Sequence, residues 1–256
     1  MKTDLKELLS IAKEASLAAG KEIIKIYETG DFSIEAKSDN SPLTKADTAA
    51  HQKIVSILRK TKVPILSEEG KEIPYEERSK WEYFWLVDPL DGTKEFVKKN
   101  GEFTVNIALI HRNQSVLGVV HLPTSKDLYW AMIGEGAFIE KKGESRTLST
   151  TNKSLSMSGL RVVASRSHMN VETEEYLKKL NQPKIISIGS SLKFLLVASG
   201  EADLYPRFGP TMEWDTAAAH IIVNEAGGSV VLKDENLPLI YNKKDLLNPY
   251  FIVLPF

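Results

Sequence analysis

A chain of 256 residues is long enough to bury a large core, as one two-lobed domain or two small ones. A formal net charge of −1, with 42% hydrophobic and 26% charged residues, excludes disorder, a fibrous repeat and the basic surface that a nucleic-acid polymer needs. The absence of cysteine excludes disulfides, thiolate metal sites and cysteinyl-phosphate chemistry, so any metal must be held by oxygen or imidazole.

Leu5, Leu8, Ala12, Ala15, Ala19, Ile23 and Ile26 recur at three- and four-residue spacing, which predicts an amphipathic first helix. Lys2, Lys6, Lys13, Glu14, Lys21 and Glu22 interrupt the N-terminal region, so no integral membrane segment and a cytoplasmic protein are expected. Peripheral attachment at the inner membrane stays open as an alternative, against which the polar face of that helix mixes both signs. Thr44-Lys45-Ala46-Asp47 is a capping-box pattern, and with apolar Ile54, Ile57 and Leu58 it predicts a second helix to about Lys60.

Apolar runs at Val63–Leu66, Tyr83–Val87, Val105–Ile110, Val116–His121 and Leu128–Met132, each bounded by turn residues, predict strands of one sheet. A polar stretch from Lys141 to Ser158 follows. Beyond it the pattern is strand (Arg161–Ala164), helix (Glu172–Leu180), strand (Ile185–Ile188) and helix (Leu192–Ser199). A last helix from Asp215 to Glu225 ends at Gly227-Gly228, and Phe251–Leu254 is a final strand. The change of pattern suggests an N-terminal α+β lobe over residues 1–150 and a C-terminal α/β lobe over 151–256.

The segment Trp85-Leu86-Val87-Asp88-Pro89-Leu90-Asp91-Gly92-Thr93-Lys94-Glu95-Phe96 carries the sharpest chemical signal. A buried strand delivers Asp88, Pro89 is expected to stop the ladder, and Asp91-Gly92 turns the chain into a short helix near Thr93. Carboxylates bind hard divalent cations and the free amides of a helix start bind phosphate, so one turn supplies both halves of a metal-assisted phosphatase site. Aspartyl-phosphate enzymes also use an acid pair ending in Asp-Gly-Thr, but two residues apart, whereas Asp88 and Asp91 are three apart.

Other acids have ordinary readings when taken alone. Val63 to Glu69 is a strand ending in Glu68-Glu69, which would sit beside Asp88 if adjacent strands end together, or form a solvated corner. Asp215 would pass as an N-cap, followed by small residues that permit close packing, and Asp47 as a capping-box acid. Gly134-Glu135-Gly136 lacks the third glycine of a dinucleotide fingerprint, and neither a Walker loop nor a Gly-x-Ser-x-Gly elbow is present.

Asp47, Glu68-Glu69, Asp88-Pro89-Leu90-Asp91-Gly92-Thr93 and Trp214-Asp215-Thr216-Ala217-Ala218 together resemble the inositol monophosphatase superfamily of lithium-sensitive phosphatases. Within it, residues 39–47, 91–96, 100–110, 165–168 (Ser-Arg-Ser-His), 189–194 and 204–211 look like the CysQ-type 3′(2′),5′-bisphosphate nucleotidases. The resemblance implies an α/β (α+β) fold, a layered alternating α-β-α-β-α sandwich with the site between the lobes. It implies Glu68, Asp88, Asp91, Asp215 and the Leu90 carbonyl as ligands to two or three Mg²⁺ ions, and Thr93 with Asp47 as the pair that orients and deprotonates water.

The same resemblance implies a small nucleotide bisphosphate as substrate, 3′-phosphoadenosine 5′-phosphate cleaved to AMP and phosphate, in sulfur metabolism. Its 5′-phosphosulfate counterpart stays open as a second substrate. Glu68, Leu90, Asp91, Gly92, Thr93 and Asp215 would face the scissile phosphate, and His168, Ser190, Lys193 and Arg207 the nucleotide. Lys193 lies in a helix's first turn, where the dipole disfavours a cation unless an anion is bound. Arg207 has a plainer reading, pairing with a nearby acid. The rival functions are an inositol or sugar phosphatase on the same metal site, against which Lys94-Glu95 speaks, and a catalytically silent nucleotide sensor.

Overall fold

The computed structural model describes residues 4–30, 32–33, 35–36, 42–164 and 170–256. The first helix, α1 (Leu5–Thr29), opens at Asp4, whose carboxylate accepts the Lys6 and Glu7 amides, and closes at Gly30 in the left-handed region. Its buried stripe of Ala12, Ala15, Ala19 and Ile23 packs beside α2 (Lys45–Leu58). A short antiparallel ribbon, β1 (Glu35–Ala36) and β2 (Pro42–Leu43), lies between them in the chain. The expected end of α2 near Lys60 is instead a 3₁₀ turn over Arg59–Thr61, closed by Lys62 at a φ of 58°.

Seven strands then form one sheet in chain order: β3 (Ile65–Ser67), β4 (Tyr83–Asp91), β5 (Thr104–His111), β6 (Gln114–Leu122), β7 (Asp127–Met132), β8 (Gly136–Lys141) and β9 (Glu144–Thr147). One-turn helices α3 (Tyr75–Arg78) and α4 (Thr93–Val97) flank β4. The β3–β4 pair is parallel and the others are antiparallel. Side chains alternate between two apolar faces: Phe84, Leu86, Ala108 and Val120 on one, Trp85, Val87, Ile107 and Val119 on the other. Both faces are buried, which is why these strands read as unbroken apolar runs.

Three strand expectations need correction. The first strand starts two residues late, at Ile65, although the Pro64 carbonyl still accepts the Trp85 amide. Pro89 does not stop the ladder. The register slips between Asp88, opposite Asn106, and Asp91, opposite Thr104, so that Pro89 and Leu90 bulge out where no amide donor is needed. The polar stretch after Lys141 contains β9, an edge strand exposed at every position and therefore without an apolar alternation to read.

The remaining elements are β10 (Arg161–Ala164), α5 (Val171–Lys178), β11 (Lys184–Ser187), α6 (Leu192–Ala198), β12 (Tyr205–Arg207), α7 (Glu213–Glu225), β13 (Ser229–Leu232) and β14 (Phe251–Leu254). The parallel pair β10–β11 meets the antiparallel β12–β14–β13 sheet through a Val162–Leu204 bridge. One core joins the large sheet, α6, α7 and the inner face of this second layer, through Leu86, Leu195, Ile222 and Val253. On the outer face Val162, Leu204, Phe208 and Ile252 meet Tyr176 and Leu177 of α5. The order is α1/α2, sheet, α6/α7, sheet, α5: the expected α-β-α-β-α sandwich. No helix among the described residues is long and apolar enough to cross a membrane.

α7 carries Asp215 and lies on β5 and β6. The close approach rests on Gly118, where an added Cβ would meet the Ala218 carbonyl oxygen at 2.2 Å and Ile221 Cγ2 at 2.6 Å. Because one obstacle is helix backbone, a methyl group must push α7 off the sheet. Gly118→Ala is expected to cost about 1–3 kcal/mol, lowering Tm by roughly 2–10 °C in a thermal melt followed by circular dichroism. An unchanged Tm would contradict this packing.

Candidate active site

The parallel pairing of β3 and β4 sets Ser67 opposite Val87, and the Glu68 amide donates to the Val87 carbonyl at 3.1 Å. Glu68 therefore leaves its strand beside Asp88. Asp88 occupies the last ladder position before the bulge, is 2% exposed, and accepts the Leu90 amide on Oδ1 at 3.0 Å. Asp215 comes from the opposite side. It is the third residue of α7 and not its N-cap, and its carboxylate accepts the Met212 amide at 2.8 Å. Glu68, Asp88 and Asp215 each offer an oxygen within 4.8 Å of the others.

Like charges at that spacing resist ionisation. Burial first, then Glu68, Asp91 and Asp215, hold the Asp88 carboxyl well above its ordinary range. Asp215 is raised for the same reasons, burial first and then Asp91 and Glu68, against an opposing pull from the Met212 amide and Arg207.

Asp91 takes a different place from the other acids. Its Oδ2 accepts the Ser190 hydroxyl at 2.7 Å, the Ser191 amide at 2.6 Å and the Ser191 hydroxyl at 2.7 Å, with the Asn106 amide at 3.4 Å. It thus ties the bulge of β4 to the start of α6. Gly92 follows at a φ of +94°, in a space where a Cβ would stand 3.0 Å from the Glu102 carbonyl oxygen. The Leu90 carbonyl accepts the Thr93 hydroxyl at 3.3 Å.

Asp47 serves both of its readings at once. Oδ2 accepts the Thr44 amide at 2.8 Å and the Thr44 hydroxyl at 2.6 Å, closing the capping box, while Oδ1 accepts the Thr93 hydroxyl at 3.2 Å. A buried cap fixes this carboxylate and leaves one oxygen for Thr93.

Beyond Asp91 and Asp215 a cavity of about 150 Å³ reaches Ser190, Lys193 and Arg207. Ser190 has a φ of 54°, which turns the backbone sharply before α6. Lys193 is buried and its amine donates to the Ser190 carbonyl at 2.6 Å. Burial lowers its pKa to about 8, with help from Arg207 and against Asp91 and Glu95. Arg207 pairs with no acid among the described residues: it donates to the Pro210 carbonyl at 2.8 Å, and its buried Nε has no partner. His168 lies outside the described residues.

The profile of the inositol monophosphatase family matches residues 4–253. The chain belongs to the inositol monophosphatase family. Its relatives in that family include the 3′(2′),5′-bisphosphate nucleotidase CysQ of Escherichia coli K12, 47% identical over 239 residues, covering 92% of this chain and 94% of that protein. The Haemophilus influenzae protein of the same name is 35% identical over 255 residues, covering 98% and 92%. Among solved structures, CysQ from Bacteroides thetaiotaomicron superposes with a TM-score of 0.87 at 46% identity, covering 98% of both chains.

Within this family fold, the donor set Glu68, Asp88 and Asp215 is all oxygen, with Asp88 buried and the other two half-buried, and self-repelling, which fits a hard divalent cation. Several neighbours were not picked out from sequence: Thr104 and Asn106, which hydrogen-bond each other and reach Ser190 and Ser191, and Glu102, whose carboxylate holds the Gly189 amide at 2.8 Å. The signals were the polar Thr and Asn inside the otherwise apolar run of β5 and the place of all three within residues 100–110, a segment that carries the family resemblance.

A raised carboxyl is disfavoured by ionisation in the folded state, so its cost is present above the raised pKa and fades as pH falls through it. Asp88→Asn keeps an acceptor for the Leu90 amide and removes the charge. In metal-free protein at pH 7 it is expected to stabilise by about 1–2 kcal/mol, roughly 2–8 °C in Tm, with the gain shrinking at acid pH. A destabilised variant in chelator would overturn the repulsion argument.

Proposed function

We propose that the chain is a Mg²⁺-dependent, lithium-sensitive 3′(2′),5′-bisphosphate nucleotidase that removes the 3′-phosphate of 3′-phosphoadenosine 5′-phosphate, giving AMP and phosphate. One observation carries this reading. Asp215, one of a trio of acids suited to a cation, and two bases that pair with no acid among the described residues, Lys193 and Arg207, line one small cavity, so it suits a ligand with two separate phosphates. The similarity to proteins named as CysQ nucleotidases supports it.

In this reading Glu68, Asp88 and Asp215 would hold the ions, joined by the Leu90 carbonyl and Asp91. Bound divalent ions supply positive charge against the phosphate dianion in the transition state. The chain's own contribution is a proton path. Asp47 takes the Thr93 hydroxyl proton, and the freed lone pair of Thr93 Oγ1 accepts the proton of the attacking water. Water adds in line, the P–O3′ bond breaks, and the ribose oxygen leaves and takes a proton from solvent water, without a covalent enzyme intermediate. Residues 1–150 supply most of the reacting end, and residues 151–256 supply Asp215 and the groups around the second phosphate, with His168 assigned to the nucleotide.

The direct test is phosphate release from 3′-phosphoadenosine 5′-phosphate and from inositol 1-phosphate, with Mg²⁺, with added Li⁺, and after Asp91→Asn. The expected result is preference for the nucleotide, inhibition by Li⁺ and a loss of about 100-fold or more in the variant. Preference for inositol phosphate would overturn the substrate, and no Mg²⁺-dependent release from either would overturn the enzyme.

Lys193 gives a second check. It binds a phosphate as ammonium, and its free-protein pKa is about 8, so kcat/KM for the bisphosphate should decline above pH 8. Lys193→Arg keeps its charge throughout and should shift that decline upward by about one pH unit or more. A limb that stays in place would assign it to another group.

A further inference from the structure

Glu95 lies on α4, two residues beyond Thr93, and lines the same cavity as Asp91, Lys193 and Arg207. It is half-buried, and among the described residues its carboxylate has no hydrogen bond or ion pair. Its stem is nevertheless fixed. A Cβ on Gly189 would meet Glu95 Cγ at 2.7 Å, and the Gly189 amide is itself held by Glu102, so the backbone against Glu95 has no room to retreat.

A free carboxylate in a pocket for a polyanion needs a reason. It opposes both phosphates, and its support for the charge on Lys193 is weaker than the burial that opposes that charge. Such a repulsive group is retained where it meets a neutral donor on the ligand, because a hydrogen bond to a charged acceptor outweighs screened repulsion. The donor nearest the reacting end of a ribose bisphosphate is the hydroxyl vicinal to the phosphate being removed. Glu95 shares its one-turn helix with Thr93 and lines the cavity together with Asp91 and Gly92 of the adjoining turn.

We propose that Glu95 is a specificity-determining residue that accepts a hydrogen bond from the ribose hydroxyl vicinal to the scissile phosphate. The inference rests on the nucleotidase reading above. It makes the site selective for ribose over deoxyribose bisphosphates, a selection that the phosphate-binding groups cannot make.

The test compares kcat/KM for 3′-phosphoadenosine 5′-phosphate with that for its 2′-deoxy analogue in the Mg²⁺-loaded full chain, for wild type, Glu95→Gln and Glu95→Ala. Removing the carboxylate also removes repulsion from both substrates, so the ratio between them is the readout and not either rate. Wild type is expected to prefer the ribose by about 10- to 100-fold. Glu95→Ala should bring the ratio near one, and Glu95→Gln should fall between, with thermal melts confirming that both variants fold. The same ratio in wild type and Glu95→Ala would overturn the proposal. So would a Glu95→Ala change that appears only when adenine is replaced by hypoxanthine, which would assign Glu95 to the base. If wild type cleaves inositol 1-phosphate and neither bisphosphate, the nucleotidase reading itself has failed.

Discussion

The β3–β4 pairing is the one parallel junction in a sheet that is otherwise antiparallel, and the acidic cluster depends on it. Parallel neighbours end at the same edge, so Glu68 and Asp88 emerge together; an antiparallel β3 would send them to opposite edges. The crossover is the segment from Glu68 to Glu82, with the single turn of α3 inside it, about the shortest length such a connection allows. Two further constraints complete the cluster. The bulge at Pro89 shifts the register of β4 so that Asp91, paired with Thr104, turns its carboxylate to the start of α6, and Gly118 lets α7 lie close enough for Asp215 to reach the other acids.

Burial alone does not mark an acid as chemical. Asp203 is fully buried too, yet it is pulled well below its ordinary range: burial pushes it up, and Arg161, Lys153 and Thr151 outweigh that push. Glu213, at the start of α7, is raised by burial but accepts the Asn242 and Lys243 amides and the Lys243 amine. Each of these acids is satisfied inside the protein and works as a staple. Asp88 has one backbone amide and three nearby carboxylates, an arrangement that makes sense when a cation completes it.

Most elements were legible because the strands of both buried faces and the capped helices announce themselves locally, whereas the layer order came from the family resemblance. What was missed had little local signal, apart from β8, whose Ala137-Phe138-Ile139 run is apolar. β9 is exposed at every position, β12 is three residues with a proline in the middle, and β13 follows the glycine pair that reads only as a stop. Within the site, the residue types were legible and their pairings were not. Asp47 as cap and Asp47 as partner of Thr93 look like rival readings in a sequence, but a carboxylate has two oxygens and the fold uses one for each. Asp215 looks like an N-cap because it precedes an apolar helix, whereas the helix starts at Glu213 and the capping-box geometry gives Asp215 the third position.

The tie between Asp91 and residues 190–191 links two ends of the cavity that sequence reasoning treats separately. Three donors from the start of α6 converge on one oxygen of Asp91, while the same short segment supplies the carbonyl that holds the Lys193 amine. Drawing Asp91 toward the other acids would mean giving up those donors, which sit at the Ser190 turn in the left-handed region. The amide and hydroxyls thus released are neutral donors beside Lys193, suited to an anion there. If a cation drew Asp91 to the acidic end, filling that end would prepare the basic end. A ligand with phosphates at both would gain from that coupling in a way that a monophosphate would not.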